Sequence, residues 1–328
     1  MKRFAFTLAA LALTGAMAFA DDAAPVTKVT GYLDTGFYVI NTSNGLSTQA
    51  YAKDAGIPGY RAKVTASQTA ANYGVSLTLE QNNGAAVTPD SYTAWVSPLA
   101  GLKISGGSDY DGAVNGLDDI GNGFGNPGVM AVDYSMSGLT AAVIAQAPSA
   151  GGPAPIGFGA RYAMDKVATV NFNGTLNASQ KFDGYSLSAS LAAVPNLTLV
   201  GGLYSTGVAT TAASKIDLNV GYAISDTLSV AVLSYYALTD NSGVFTVSKS
   251  GDFWTKPNVT YKLNSMATLT GYVQYDSTAN SNIEPSANVA FAVGGTTLNI
   301  GGKFDTNPTH ASSAVATTTG WVATTFTF

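Results

Sequence analysis

The chain has 328 residues, with 15 Lys and Arg, 20 Asp and Glu, one His and no Cys. Without Cys there is neither a disulfide framework nor a thiolate metal site. Mean hydropathy is positive and only 11% of residues are charged, against about a quarter in ordinary soluble domains.

At the N-terminus Lys2 and Arg3 precede an apolar run from Phe4 to Ala16 that is too short to cross a bilayer. Ala18-Phe19-Ala20 then supplies a small-x-small cleavage pattern ahead of Asp21. Residues 1–20 are therefore expected to be a secretory signal peptide and residues 21–328 a single domain. No Cys lies near the cleavage site, so a lipoprotein anchor is excluded. Removing Lys2 and Arg3 leaves 13 basic against 20 acidic residues, net −7, which speaks against nucleic acid as a partner. After Ala20 no apolar stretch approaches the roughly 20 residues of a membrane helix. An exported chain so poor in charge needs another apolar solvent. A closed transmembrane β-barrel meets that need, because closure pairs every backbone group. A soluble secreted β-sandwich or β-solenoid is the alternative.

Barrel strands should alternate lipid-facing and lumen-facing residues over about ten positions. Segments that can do so fall near 28–40, 57–69, 72–83, 89–98, 100–109, 127–136, 138–147, 156–164 and 166–176. They continue near 182–192, 195–205, 212–224, 226–238, 253–263, 265–277, 285–294, 296–306 and 317–328. In the second, Tyr60, Ala62, Val64 and Ala66 oppose Arg61, Lys63, Thr65 and Ser67. In the twelfth, Ile216, Leu218, Val220 and Tyr222 oppose Lys215, Asp217, Asn219 and Gly221. Leu139 to Ala145 is nearly all apolar and reads as a strand only by its neighbours.

Charges sharpen the pattern. Lys28, Asp34, Arg61, Lys63, Glu80, Lys103, Asp133, Arg161, Lys215, Asp217, Lys262 and Lys303 all fall on the polar face of their segments. A Lys or Arg facing lipid at mid-depth costs about 2–4 kcal/mol, so this is the arrangement a barrel requires. The fold class expected is all-β: an antiparallel transmembrane barrel of about eighteen strands, with sixteen as the alternative count. Short turns such as Met164-Asp165-Lys166 and Ile224-Ser225-Asp226 alternate with longer connections at 41–56, 110–126, 239–252 and 307–316. Short periplasmic turns and longer outer loops are the asymmetry of such barrels.

Three features resemble the Gram-negative general porin family. Gly31-Tyr32-Leu33-Asp34-Thr35-Gly36 looks like its opening Gly-x-x-Asp-x-Gly. Asn72 to Glu80, Ser91 to Trp95 and Gly101 to Gly106 are similar to its second-to-fifth-strand layout. The ending Thr325-Phe326-Thr327-Phe328 resembles the aromatic signal read by the barrel assembly machinery, with Phe326 and Phe328 as its aromatic residues. The likeness is best over residues 29–146 and loose afterwards. It implies an outer-membrane channel, assembled as a homotrimer in lipid, for ions and small polar solutes. Departures are the eighteen strands against the family's common sixteen, a short loop near 83–89, and no Pro-Glu-Phe-Gly-Gly in the third loop.

The third outer loop, Asp109 to Pro127, carries Asp109, Asp111, Asp118 and Asp119 and glycines that let it bend. In the family this loop narrows the pore. Here its acids are expected to face the wall bases Arg61, Lys63 and Lys103, a charged constriction that selects ions. The bland alternative is a solvated surface loop. Weak calcium binding at Asp109 and Asp111 is a further reading, although the spacing departs from an EF-hand. No other metal and no cofactor is expected. The lone His310 offers no placed nucleophile or second acid, so no enzyme activity is expected. Trp95, Trp254, Trp321 and the 17 Tyr could supply interfacial girdles or line the lumen. The expected function is passive diffusion through a water-filled channel; the alternative is an adhesive or structural barrel that works through its outer loops.

Overall fold

The computed structural model describes residues 24–328, apart from 43–44, 53–56, 59, 83–84, 109, 111–112, 115–116, 118–128, 147–153, 209–211, 241–248, 279–280 and 309–314. The strands are β1 (Val26–Thr42), β2 (Gly45–Ala52), β3 (Ile57–Pro58), β4 (Tyr60–Thr69), β5 (Tyr73–Asn82), β6 (Thr88–Leu99) and β7 (Leu102–Gly107). Next come β8 (Val129–Met136), β9 (Leu139–Gln146), β10 (Ile156–Met164), β11 (Ala168–Leu176), β12 (Phe182–Leu191), β13 (Leu197–Thr206) and β14 (Ala213–Ala223). The last are β15 (Leu228–Ala237), β16 (Phe253–Lys262), β17 (Ala267–Asp276), β18 (Asn282–Val293), β19 (Thr296–Asp305) and β20 (Thr317–Thr327).

Each strand from β4 to β20 pairs antiparallel with the next, and β1 joins β4 on one side and β20 on the other. The sheet thus closes into an eighteen-strand barrel with β2 and β3 as an extra hairpin. All eighteen alternating segments of the sequence lie on these strands. The connection at 41–56 differs from its reading as a loop. β1 is long enough to outrun β4, and its upper half pairs instead with β2, from Phe37↔Ala50 to Thr42↔Gly45. An otherwise unpaired edge is covered by the chain's own return.

The turns at the end of the barrel that holds both chain termini are short. Ser137 and Gly138 join β8 to β9 with φ of 47° and 84°, the two left-handed residues of a twist-matched hairpin turn. At the closing seam the backbones crowd. A Cβ on Gly36 would lie 2.3 Å from the Val322 carbonyl oxygen and 2.5 Å from Ala323 Cα. Phe328 extends the seam, exchanging backbone hydrogen bonds with Gly31 at 2.9 and 3.0 Å, and its ring covers the face of that glycine.

Burial separates the two faces. Val29, Leu33 and Phe37 of β1 and Met130, Val132 and Tyr134 of β8 are exposed, whereas Asp34 and Asp133 between them are buried. Large apolar side chains form an outward band all round, and polar ones line the interior. This is a hydrophobic pattern inverted relative to a soluble domain, and it suits a hydrocarbon exterior.

Candidate functional site: the inner wall and the residues packed on it

All twelve charged residues placed on the polar face by alternation project to the interior, as their strand parity requires. Asp34 is fully buried beside the seam and accepts a hydrogen bond from Thr325 Oγ1 at 3.3 Å. Lys28 lies exposed near the start of β1. Lys103 sits 5.5 Å from the centroid of Trp95.

Arg61 and Lys63 are the bases expected on the wall opposite the loop acids. Both are paired with acids of the neighbouring strands. Arg61 donates to both carboxylate oxygens of Glu80 at 3.0 and 3.1 Å, and Lys63 reaches Glu80 at 2.9 Å and Asp90 at 2.6 Å. Asn82 adds a further donor to Glu80. The cause is register: Lys63 lies directly across from Glu80 and Arg61 across from Asn82, so side chains on one face meet. Asp90 could not be paired with Lys63 from the sequence, because the register between β5 and β6 shifts at a bulge between Thr78 and Leu79.

The interior of β8 to β10 differs in kind. Val129, Ala131, Ala142 and Ile144 point inward yet are buried, in one cluster with Tyr110, Ala113 and Val114. Val114 and Ile144 have no exposed surface at all. Gly159 of β10 completes the seat: a Cβ there would lie 2.1 Å from the Ala113 carbonyl oxygen and 2.9 Å from Val114 Cα. Tyr110 donates to Asp133 Oδ1 at 2.5 Å, and the Leu117 backbone N–H donates to Ser188 Oγ on β12 at 3.2 Å. Burial and the Asp133 hydrogen bond push the Tyr110 hydroxyl well above the usual tyrosine range, so it stays protonated as the donor. The all-apolar run of β9 now has a reason. One face meets lipid and the other meets Tyr110, Ala113 and Val114, so neither needs to be polar. Asp109, Asp111, Asp118 and Asp119 lie outside the described residues, as do His310 and residues 1–20.

From β13 to β19 the wall joins charges that alternation placed, Lys215, Asp217 and Lys303, to groups that the sequence reading missed, Lys256, Tyr272 and Glu284. Lys215 contacts Asp217 at 2.7 Å and lies over the rings of Tyr235 and Tyr204. Glu284 accepts from Tyr272 Oη at 2.6 Å and from Lys303 Nζ at 2.6 Å. Lys256 lies 3.9 Å from the centroid of Tyr272. Glu284 was missed because the segment was expected to start at 285, whereas β18 begins at Asn282. The tryptophans also lie inside. Trp254 is buried against Tyr235, and Trp321 donates to Asn288 Oδ1 at 3.1 Å. Trp95 covers Gly74, and Trp321 covers Gly301. None of the three belongs to an outward girdle.

Among the described residues no group of three or more His, Cys, Asp or Glu is placed to hold a metal ion. A closed antiparallel ring with an apolar exterior and a charged, hydrogen-bonded interior defines a transmembrane β-barrel. No protein-family model and no curated protein matches the chain. Solved structures do. A variant of Rhodopseudomonas blastica porin with three substitutions superposes with TM-score 0.53 at 14% identity, over 92% of this chain and all of that one. Two further variants of that porin, one of them described as a triple mutant, give TM-score 0.51 at 15% identity with the same coverage. The chain therefore has the porin barrel fold.

Proposed function

We propose that the chain forms a water-filled channel in the outer membrane of a Gram-negative-type bacterium and passes ions and small hydrophilic solutes by passive diffusion. Its interior is polar along almost the whole ring, and the apolar patch on β8 to β10 is sealed by the chain's own residues. The observation that carries the constriction is the packing of Tyr110, Ala113 and Val114 on the inner face of those strands. Residues 109–127 then form an inward-folded third loop, with Asp109, Asp111, Asp118 and Asp119 at the narrowest level. Weak Ca²⁺ binding at Asp109 and Asp111 would be a side property of the same acids.

On the wall of β4 to β6 Arg61 and Lys63 are neutralised by Glu80 and Asp90, so the loop acids dominate and the channel prefers cations. The partners in this reading are outer-membrane lipid, the barrel assembly machinery, which reads Phe326 and Phe328, and two further copies in a homotrimer. It has no enzymatic step. Reconstitution in a planar bilayer tests it: stepwise conductance with a cation-selective reversal potential under a KCl gradient is expected. Replacing the four loop aspartates by Asn shifts that potential towards anions. Folded protein without conductance would refute the channel and leave the adhesive or structural barrel. An unshifted potential in the Asn variant would refute the constriction.

A further inference from the structure

Four cations on the inner wall of the barrel hold an acid. Arg61, Lys63, Lys215 and Lys303 each hold a carboxylate within 3.0 Å. Lys256 on β16 is different. Among the described residues its ammonium forms no ion pair and no hydrogen bond, and its one contact is the face of Tyr272 at 3.9 Å. It is half-buried, unlike the exposed Lys28, Lys103 and Lys262. A ring face offsets part of the cost of removing an ammonium from water, but it accepts none of its three N–H donors in the way an oxygen does. A partly desolvated charge without a counter-ion is unfavourable, and an arriving anion relieves it.

The surroundings say which anion. Tyr272 is fixed by its own bond to Glu284, so the ring that supports Lys256 does not swing away. Glu284 lies within electrostatic reach of Lys256 and holds Lys303 at 2.6 Å, and Asp305 lies beside that ion pair. The two acids balance the two lysines, so what Lys256 offers an anion is its ammonium N–H donors rather than a surplus of charge. A monoanion meets the least repulsion from Glu284 and Asp305, whereas a dianion meets about twice as much. The neighbouring inward positions, Asn258 on β16 and Gln274 on β17, are uncharged amides.

We propose that Lys256, supported by Tyr272, is an oxyanion-binding step on the inner wall, selective for small monocarboxylates over dianions. It lies on β16, away from β4 to β8, and lets a cation-preferring channel pass organic acids. The site rests on the channel reading, so one readout must not need conduction.

Line broadening of ¹³C-labelled acetate by detergent-solubilised protein reports occupancy directly. Saturable broadening is expected, and K256Q should weaken it about two- to five-fold, the range of a single partly exposed ion contact. K181Q, which removes an exposed cation in the turn before β12, should leave it unchanged. In bilayers K256Q should lower acetate permeability relative to K⁺ by a similar factor. Acetate broadening identical in wild type and K256Q overturns the site, as does inorganic phosphate binding more tightly than acetate at a pH where it is a dianion. Binding that depends on Lys256 in a protein without conductance would keep the site and remove the channel. Heat-modifiable migration of K256Q confirms that the variant folds.

Discussion

Replacing Gly159 by Val tests how the residues after β7 are held. The new Cβ would stand 2.1 Å from the Ala113 carbonyl oxygen, where ordinary contact begins at 3.4 Å, so the segment must retreat by about 1.3 Å. Val114 is completely buried and cannot keep that seat once it moves. Losing its burial costs about 1.5–3 kcal/mol. The Tyr110 hydrogen bond to the Asp133 carboxylate, lost with it, is worth about 1.5–3 kcal/mol. Together these exceed thermal energy several-fold, so the segment leaves the wall. The barrel survives, because the backbone of Gly159 stays laddered to Ala142 and Asn173 and only the interior face changes. The expected outcome is larger single-channel conductance and faster liposome swelling with larger sugars. A folded Gly159→Val protein with wild-type conductance and size cutoff would refute both the seat and the inward loop built on it.

Glu80→Gln removes the carboxylate that holds Arg61 and Lys63, so the reversal potential should move towards anions. Folded stability should fall by about 1–3 kcal/mol in urea titrations of protein in lipid vesicles. Gly36→Val forces a side chain into the closing seam, at an overpacking cost of about 1–3 kcal/mol, read as loss of heat-modifiable barrel on gels. The Tyr110–Asp133 bond should tolerate alkali. A folded-state pKa raised above the unfolded value of about 10 keeps its contribution intact below pH 10 and loses it only as pH passes the folded value. Conductance should therefore hold steady up to pH 10, and Tyr110→Phe should remove any rise seen above it. Deleting Phe328 strips the ring from Gly31 and two backbone hydrogen bonds from the seam; less folded protein should be recovered from outer-membrane fractions.

The strand ladder was legible in the sequence because a barrel wall separates two solvents. Every second residue must tolerate lipid, so period two marks most of the eighteen segments, and the strand charges from Lys28 to Lys303 keep to one face. The apolar run of β9 was legible as a strand only by position. Its reason lay in Tyr110, Ala113 and Val114, which approach it from some thirty residues earlier. The same holds for Lys63, whose partner Asp90 depends on a bulge that no local pattern announces, and for Lys256, whose isolation is defined by who its neighbours across the wall are. The direction in which each side chain points is a local property, dictated by backbone pleat and solvent. Which side chains then meet depends on register, bulges and closure of the ring, and those are decided only when the whole sheet is assembled.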